Sequence, residues 1–270
     1  MRLKLGSALH LVLVLCAALV LGPGRSAASE EGCPGLVAGR SLPIIPAALA
    51  QNEVGLTFVG HATFLIETAG GVKIATDYND YVRPAVTPDV VTMNRAHSTH
   101  YSTRPDPGIK TILRGWNPNG GPAPAYDERF GDVRIRNVVT NIRQWGGETT
   151  IREGNSIFVF EAADLCIAHL GHLHHTLTPE HLKQLGRIDV ALVPVDGSYT
   201  LDIEGMMEVL SAMGPKLIVP MHFFGQSTLN RFLDRARAKS WDVARLDSAS
   251  MTLSRETLPG TPKVVVLQGY

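Results

Sequence analysis

The chain has 270 residues, with 25 basic and 25 acidic side chains, a hydrophobic fraction of 44% and a charged fraction of 19%. That length allows one large domain or two small ones, with the composition of an ordinary globular protein. The balanced charge gives no electrostatic footprint for nucleic acid or an anionic membrane, and no internal repeat points to a solenoid.

Residues 1–28 are expected to be a signal peptide. Arg2 and Lys4 make a basic start, Leu11 to Leu21 is an unbroken apolar run, and Gly22-Pro23 interrupts it. Ser26-Ala27-Ala28 then offers small residues for cleavage after Ala28. The run is too short to span a bilayer comfortably, and Leu15 before Cys16 disfavours a lipoprotein anchor. Removing Arg2, Lys4 and Arg25 leaves 22 basic against 25 acidic residues, a net charge of −3. The sequence therefore predicts an exported protein, periplasmic or secreted, with no nucleic-acid partner and no stable membrane span. Cys33 and Cys166 allow one disulfide, but the apolar run around Cys166 favours a buried free thiol.

Residues 29–50 lack periodicity and read as an N-terminal arm on a single domain spanning 51–270. Short β-rich runs follow at Gly55 to Gly60, Thr63 to Thr68 and Val72 to Thr76, separated by glycine turns, which predicts an antiparallel meander. Asp89 to Met93 and Ile109 to Leu113 are further strands. Gly115 to Gly131 is rich in Gly, Pro and Asn yet holds Trp116, Tyr126 and Phe130. It reads either as a lid or as a surface excursion with tucked aromatics. Asp132 to Thr140 and Asn155 to Glu161 alternate as neighbouring strands, with a turn or flap around Trp145-Gly146-Gly147. Leu165 to Ala168 leads into a run of histidines.

Helices come later. Thr178, Pro179 and Gly186 mark the cap, first position and stop of one. Ile203 to Met213 places Met206, Met207, Leu210 and Met213 on one face, a stripe that reads as core packing. Ser227 is expected to cap an amphipathic helix to about Lys239. Buried strands at Arg187 to Val195 and Lys216 to Val219 separate the helices, and three short strands finish the chain around Val243, Thr252 and Val264 to Leu267. Strand-rich first and alternating later, the pattern fits an α/β fold of two mixed sheets with helices outside.

Four apolar strands end in ligand-type side chains: at His97 and His100, at His169 through His175, at Asp196 and at His222. Imidazole is the commonest side-chain metal ligand, and α/β sites form where strand ends meet, so these groups are expected to share one rim. His169 and His175 are additional candidate ligands. His61, His169, His174 and His175 are further candidates for handling a proton or orienting a ligand, or else for hydrogen bonds that fix neighbouring loops, the reading favoured for His174.

These residues resemble a known family. Gly60-His61-Ala62-Thr63-Phe64-Leu65-Ile66-Glu67 is similar to the first strand pair of metallo-β-lactamase-fold hydrolases, and Asp77 fits the acidic residue closing their next strand. Ile167 to His172 resembles their Gly-Asp ligand segment and Ile218 to His222 their last-histidine motif. The resemblance covers Val54 to Phe224 and implies a four-layered αββα sandwich. The nearest branch includes N-acylphosphatidylethanolamine phospholipase D and the ascorbate-lactonase-like enzymes. The family's His-x-His-x-Asp-His aligns with Arg95-Ala96-His97-Ser98-Thr99-His100, so Arg95 replaces a histidine and Thr99 the aspartate. His172 stands where the family uses a bridging aspartate, and Asn141 where it uses another histidine.

The resemblance thus implies one ion, zinc or another transition metal, in place of a two-metal centre: either His100, His172 and His222 hold it and leave a position open for water, or His97 joins them and, unless coordination expands, the site is structural. Arg95 is expected to hold a substrate phosphate or carboxylate, and Asp196 to replace the missing carboxylate of Thr99 as base or as orienter of a ligand. The implied activity is hydrolysis of an ester, lactone or phosphodiester in a small-molecule or lipid-like substrate by a metal-bound hydroxide. The rivals are a non-catalytic metal- or ligand-binding protein and, less favoured, a redox-active iron or copper site.

Overall fold

The computed structural model describes residues 48–143 and 149–269. The expected signal peptide, Cys33, most of the arm and Trp145-Gly146-Gly147 lie outside the described residues.

Fourteen strands and three helices are described. The first sheet holds β1 (Glu53–Gly60), β2 (Thr63–Thr68), β3 (Lys73–Ala75), β4 (Val90–Met93), β5 (Thr111–Arg114) and β13 (Ser250–Ser254), in the order β13-β1-β2-β3-β4-β5. The second holds β6 (Asp127–Phe130), β7 (Val133–Arg143), β8 (Thr150–Ala162), β9 (Leu165–His169), β10 (Val190–Pro194), β11 (Leu217–Met221), β12 (Asp242–Arg245) and β14 (Lys263–Val266). Its order is β12-β14-β11-β10-β9-β8-β7-β6. Helices α1 (Pro179–Leu185), α2 (Ile203–Met213) and α3 (Gln226–Ala238) join its parallel strands.

Burial follows the side-chain pattern. β1 alternates between half-buried and buried, so Leu56 and Phe58 face the second sheet. β10 and β11 are buried along their whole length because both of their faces are covered. Between the sheets, Phe64 and Ile66 pack with Phe158, Phe160, Leu192 and Val219. On the far side of the second sheet, Ile157, Ala191 and Ile218 meet Met206, Met207 and Leu210 of α2 and Phe232 of α3. The methionine stripe is therefore core. The outer face of the first sheet buries Val91 and Met93 beneath Tyr101, Ile109 and Trp116. Two mixed sheets face one another as expected, and the three described helices cover the second.

Parallel pairing matters most for function. β9, β10 and β11 run parallel, so their C-terminal ends share one edge. β3 and β4 do likewise in the first sheet. The sequence that follows each strand is thereby delivered to a common rim.

The aromatic stretch before residue 131 is tucked rather than lid-like. Tyr126 accepts a hydrogen bond from Arg114 N and donates to Arg114 O, Trp116 packs beside Tyr101, and Phe130 lies in β6 against the core. Cys166 is half-buried, less enclosed than its apolar run implied, because it faces the flank occupied by Arg187.

Candidate metal centre

Among the described residues, three imidazole nitrogens are buried without a hydrogen-bond partner: Nε2 of His100, Nε2 of His222 and, one ring further back, Nδ1 of His174. An unpartnered buried polar atom is costly and calls for a physical reason. Here one ring nitrogen from each of His97, His100, His172 and His222 lies within 4.8 Å of the other three. The remaining nitrogen of every ring is already engaged, so Nε2 is the converging atom throughout. His100 Nδ1–H donates to Asp77 Oδ2 at 2.5 Å, and His222 Nδ1–H to Asp196 Oδ2 at 2.9 Å. His97 Nδ1 meets Thr99 Oγ1 at 2.8 Å, and His172 Nδ1 meets His174 Nε2 at 2.5 Å.

This is the arrangement a transition metal requires. A ligating histidine donates its other N–H to an outer partner, which fixes the tautomer and the ring orientation. Tetrahedral zinc with nitrogens at about 2.0–2.1 Å separates its donors by roughly 3.3 Å, so a set already this close shuts on an ion through small ring rotations. His97 Nε2 and His172 Nε2 are 3.0 Å apart. The residues fit the group.

Electrostatics favour the neutral ring at His97, His100 and His172. Burial pushes His100 and His172 well below the usual imidazole range, and the neighbouring rings add to the effect. His97 is lowered by burial and by His222. Burial lifts Asp77 to about 6, which still leaves a carboxylate at neutral pH to accept from His100. Burial opposes ionisation of Asp196 too, but hydrogen bonds from His222 and Thr200 hold it far below the usual carboxylate range.

Backbone geometry at the rim is strained. His61, Asp77 and His222 all have positive φ, at 52°, 41° and 52°. Such conformations cost free energy in non-glycine residues and persist where the surroundings over-determine them. His222 N–H donates to His61 O at 2.7 Å, which locks two of the three together.

Other residues singled out in the sequence fall elsewhere. His169 is not a ligand: Nε2 donates to Ala62 O and Nδ1 accepts from Gly171 N, so both nitrogens are spent on the backbone. His175 is also excluded, since Nδ1 donates to Thr176 O and Nε2 accepts from Asn141 N. Asn141 thereby fixes a loop. Asp196 has both oxygens engaged: Oδ1 accepts from the N–H groups of Ser198, Tyr199 and Thr200, and Oδ2 from His222 and Thr200, an arrangement that suits holding His222 better than taking up a proton. Thr99 bridges rings, its Oγ1 lying 2.8 Å from His97 Nδ1 and 2.9 Å from His61 Nε2. Arg95 is exposed, its N–H bonded to Gly154 O, and its side chain forms no ion pair among the described residues. His174 takes the supporting place expected of it.

Two asparagines escaped the sequence reading. Asn94 donates to Asp77 Oδ1 and accepts from Ser156 N, and Asn155 accepts from His172 N while donating to Leu170 O and Thr140 Oγ1. Between them sits Gly171 with φ +58°, where an added Cβ would stand 2.5 Å from both Asn155 Oδ1 and Asn94 Nδ2. The only sequence signal was a glycine immediately before His172.

Comparison with known proteins agrees with this geometry. Residues 55–222 match the family model described as β-lactamase superfamily domain. A UPF0173 metal-dependent hydrolase of Carboxydothermus hydrogenoformans is 22% identical over 232 residues, covering 73% of this chain and 99% of the relative. Another from Salinibacter ruber is 25% identical over 219 residues, covering 72% and 94%. Among solved structures, a Thermotoga maritima protein designated a Zn-dependent hydrolase of the metallo-β-lactamase superfamily aligns with TM-score 0.58 and 31% identity. That alignment covers 80% of this chain and 100% of the other.

Proposed function

The chain belongs to the β-lactamase superfamily domain family, and from that membership we propose a metal-dependent hydrolase with one zinc-type ion, acting on an ester, lactone or phosphodiester of a small-molecule or lipid-like substrate. The observation that carries this reading is the convergence of four Nε2 atoms whose rings are each fixed from behind. When bound, the ion supplies Lewis-acid activation of water and polarises the substrate oxygen.

The protein's own groups have separate tasks. His100, His172 and His222 are buried and serve as permanent holders, whereas His97 is the most exposed of the four and faces the approach. Asp77 and Asp196 fix the tautomers of His100 and His222. Thr99 links His97 to His61, giving a proton leaving the cluster a hydrogen-bonded route outward. His61 passes that proton on rather than storing it, because burial and neighbouring rings lower it to about 3.

One observation favours the rival reading of a non-catalytic metal-binding protein. Both carboxylates that touch the cluster, Asp77 and Asp196, have their oxygens committed to protein donors. Metal analysis with an activity screen separates the two. About one zinc per chain is expected, lost in His172→Ala and His222→Ala, with hydrolysis of ester, lactone or phosphodiester probes lost in parallel. Metal without metal-dependent turnover establishes the binding protein, and no metal after reconstitution refutes both.

Export belongs to the same proposal. Its support is the order of Arg2 and Lys4, the Leu11 to Leu21 run and Ser26-Ala27-Ala28. No described helix is long and apolar enough to cross a membrane. Recovery of the protein outside the cytoplasm with Ser29 at its N-terminus is expected; a cytoplasmic chain beginning at Met1 refutes export.

A further inference from the structure

Of the eight phenylalanines in the chain, Phe224 alone is exposed, at 61%. Phe58, Phe64, Phe158, Phe160 and Phe232 are buried, and the adjacent Phe223 turns inward against Phe58. Exposure of a large aromatic side chain is unfavourable and becomes informative when several apolar groups share one place. Phe224 has such company. Tyr199 is 44% exposed and meets it edge-to-face, with ring centroids 5.4 Å apart.

The pair stands at the metal centre. The Phe224 centroid is 5.3 Å from the ring of His222 and 5.9 Å from that of His61. Both aromatics are also pre-positioned. Tyr199 sits on a turn whose backbone N–H groups converge on Asp196, the carboxylate that orients His222, and Phe224 follows His222 by two residues. An exposed aromatic wall is thus built on the framework that fixes a metal ligand.

We propose that Tyr199 and Phe224 form the wall that selects substrate, gripping an aromatic or bulky apolar group on the acid half of the molecule. The assignment rests on the hydrolase reading for its chemistry. A carbonyl drawn to the histidine cluster carries its own substituent only one or two bonds away, within reach of the Phe224 ring. An aromatic substituent there gains apolar burial and ring contacts, whereas a methyl group reaches neither.

The test compares phenylacetate with acetate, the acid halves of two simple esters, by calorimetric titration of the zinc-reconstituted protein. Phenylacetate should bind about tenfold more tightly, as expected for an added ring that stacks and buries apolar surface. In Phe224→Ala the ratio should fall towards one, and Phe224→Leu should retain part of it, with zinc per chain at the wild-type value in both. A wild-type ratio near one, or a ratio that survives both Phe224→Ala and Tyr199→Ala, overturns the proposal. Turnover of 4-nitrophenyl phenylacetate and 4-nitrophenyl acetate is measured alongside. Selective binding without turnover removes carboxylic-ester hydrolysis from the proposed function and leaves the wall standing, whereas equal turnover and equal binding of the two remove the wall alone.

Discussion

Asp196 holds His222 through Oδ2 and gathers the N–H groups of residues 198–200 through Oδ1. Asp77 holds His100 from the opposite sheet but organises no loop of this kind, its other oxygen going to Asn94. The two positions should therefore respond differently to loss of charge. Asp196→Asn has only one acceptor oxygen to share between ring and turn. It should lower zinc affinity by about 10- to 100-fold, read by chelator competition, the usual cost of removing an outer partner of a ligand. It should also destabilise the fold by about 1–3 kcal/mol through buried donors left unmet. Asp77→Asn should lower zinc affinity to a similar degree without loosening the 198–200 turn, which amide exchange at Tyr199 and Thr200 would report. Gly171→Ala tests the asparagine pair behind His172. Its positive φ and the 2.5 Å approaches predict destabilisation of about 1–3 kcal/mol in denaturant titration. Unchanged stability would mean that Asn94 and Asn155 are not rigid supports.

Among the elements, those with a local signal were legible in the sequence. Thr178 caps α1 with Pro179 following and Gly186 ending it, as the side-chain chemistry requires. The methionine stripe of α2 is buried against the second sheet, so Met207→Ala should cost about 2–5 kcal/mol by leaving a cavity. Asp202→Ala should cost about 1 kcal/mol by removing the cap on Gly205 N. Thermal melts of the two variants check both the values and their ranking. Ser227, by contrast, does not cap α3, which starts at Gln226 after an N-cap at Gly225 without a side-chain bond. Strand β6 went unread because Asp127–Phe130 has no apolar alternation and is defined by its partner β7. The same distinction governs the site. His97, His100, His172 and His222 were legible because each is a ligand-type side chain in the segment that leaves an apolar strand, whereas Asn94 and Asn155 act on partners from distant segments. His169 and His175 share that strand-end signal but point their nitrogens at backbone groups, a choice made by local packing and invisible to residue type.

For the whole molecule, burying so many neutral imidazoles has a consequence for acid stability. Burial lowers His61 to about 3 and His174 to about 4, and it lowers His97, His100, His169 and His172 as well. In the unfolded chain each titrates near about 6.5. Between the folded and unfolded values the unfolded state binds more protons, so stability rises with pH through that window and is lost as pH falls below about 6.5. Asp77 works the other way over a narrower range. With its folded value raised to about 6, the native state binds the extra proton between the unfolded carboxylate range and that point. One carboxylate does not offset six imidazoles. Chelator-treated protein should therefore melt at a clearly lower temperature near about pH 5 than near about pH 7, because protonation must unfold the cluster before it can charge it. His61→Gln should narrow that gap by removing one of the contributors. Zinc should raise the melting temperature most near neutral pH and progressively less as acid competes for the same nitrogens. A melting temperature independent of pH in the chelated protein would mean that these rings are solvated in solution, and the converging Nε2 geometry would then lose its claim to be a preformed site.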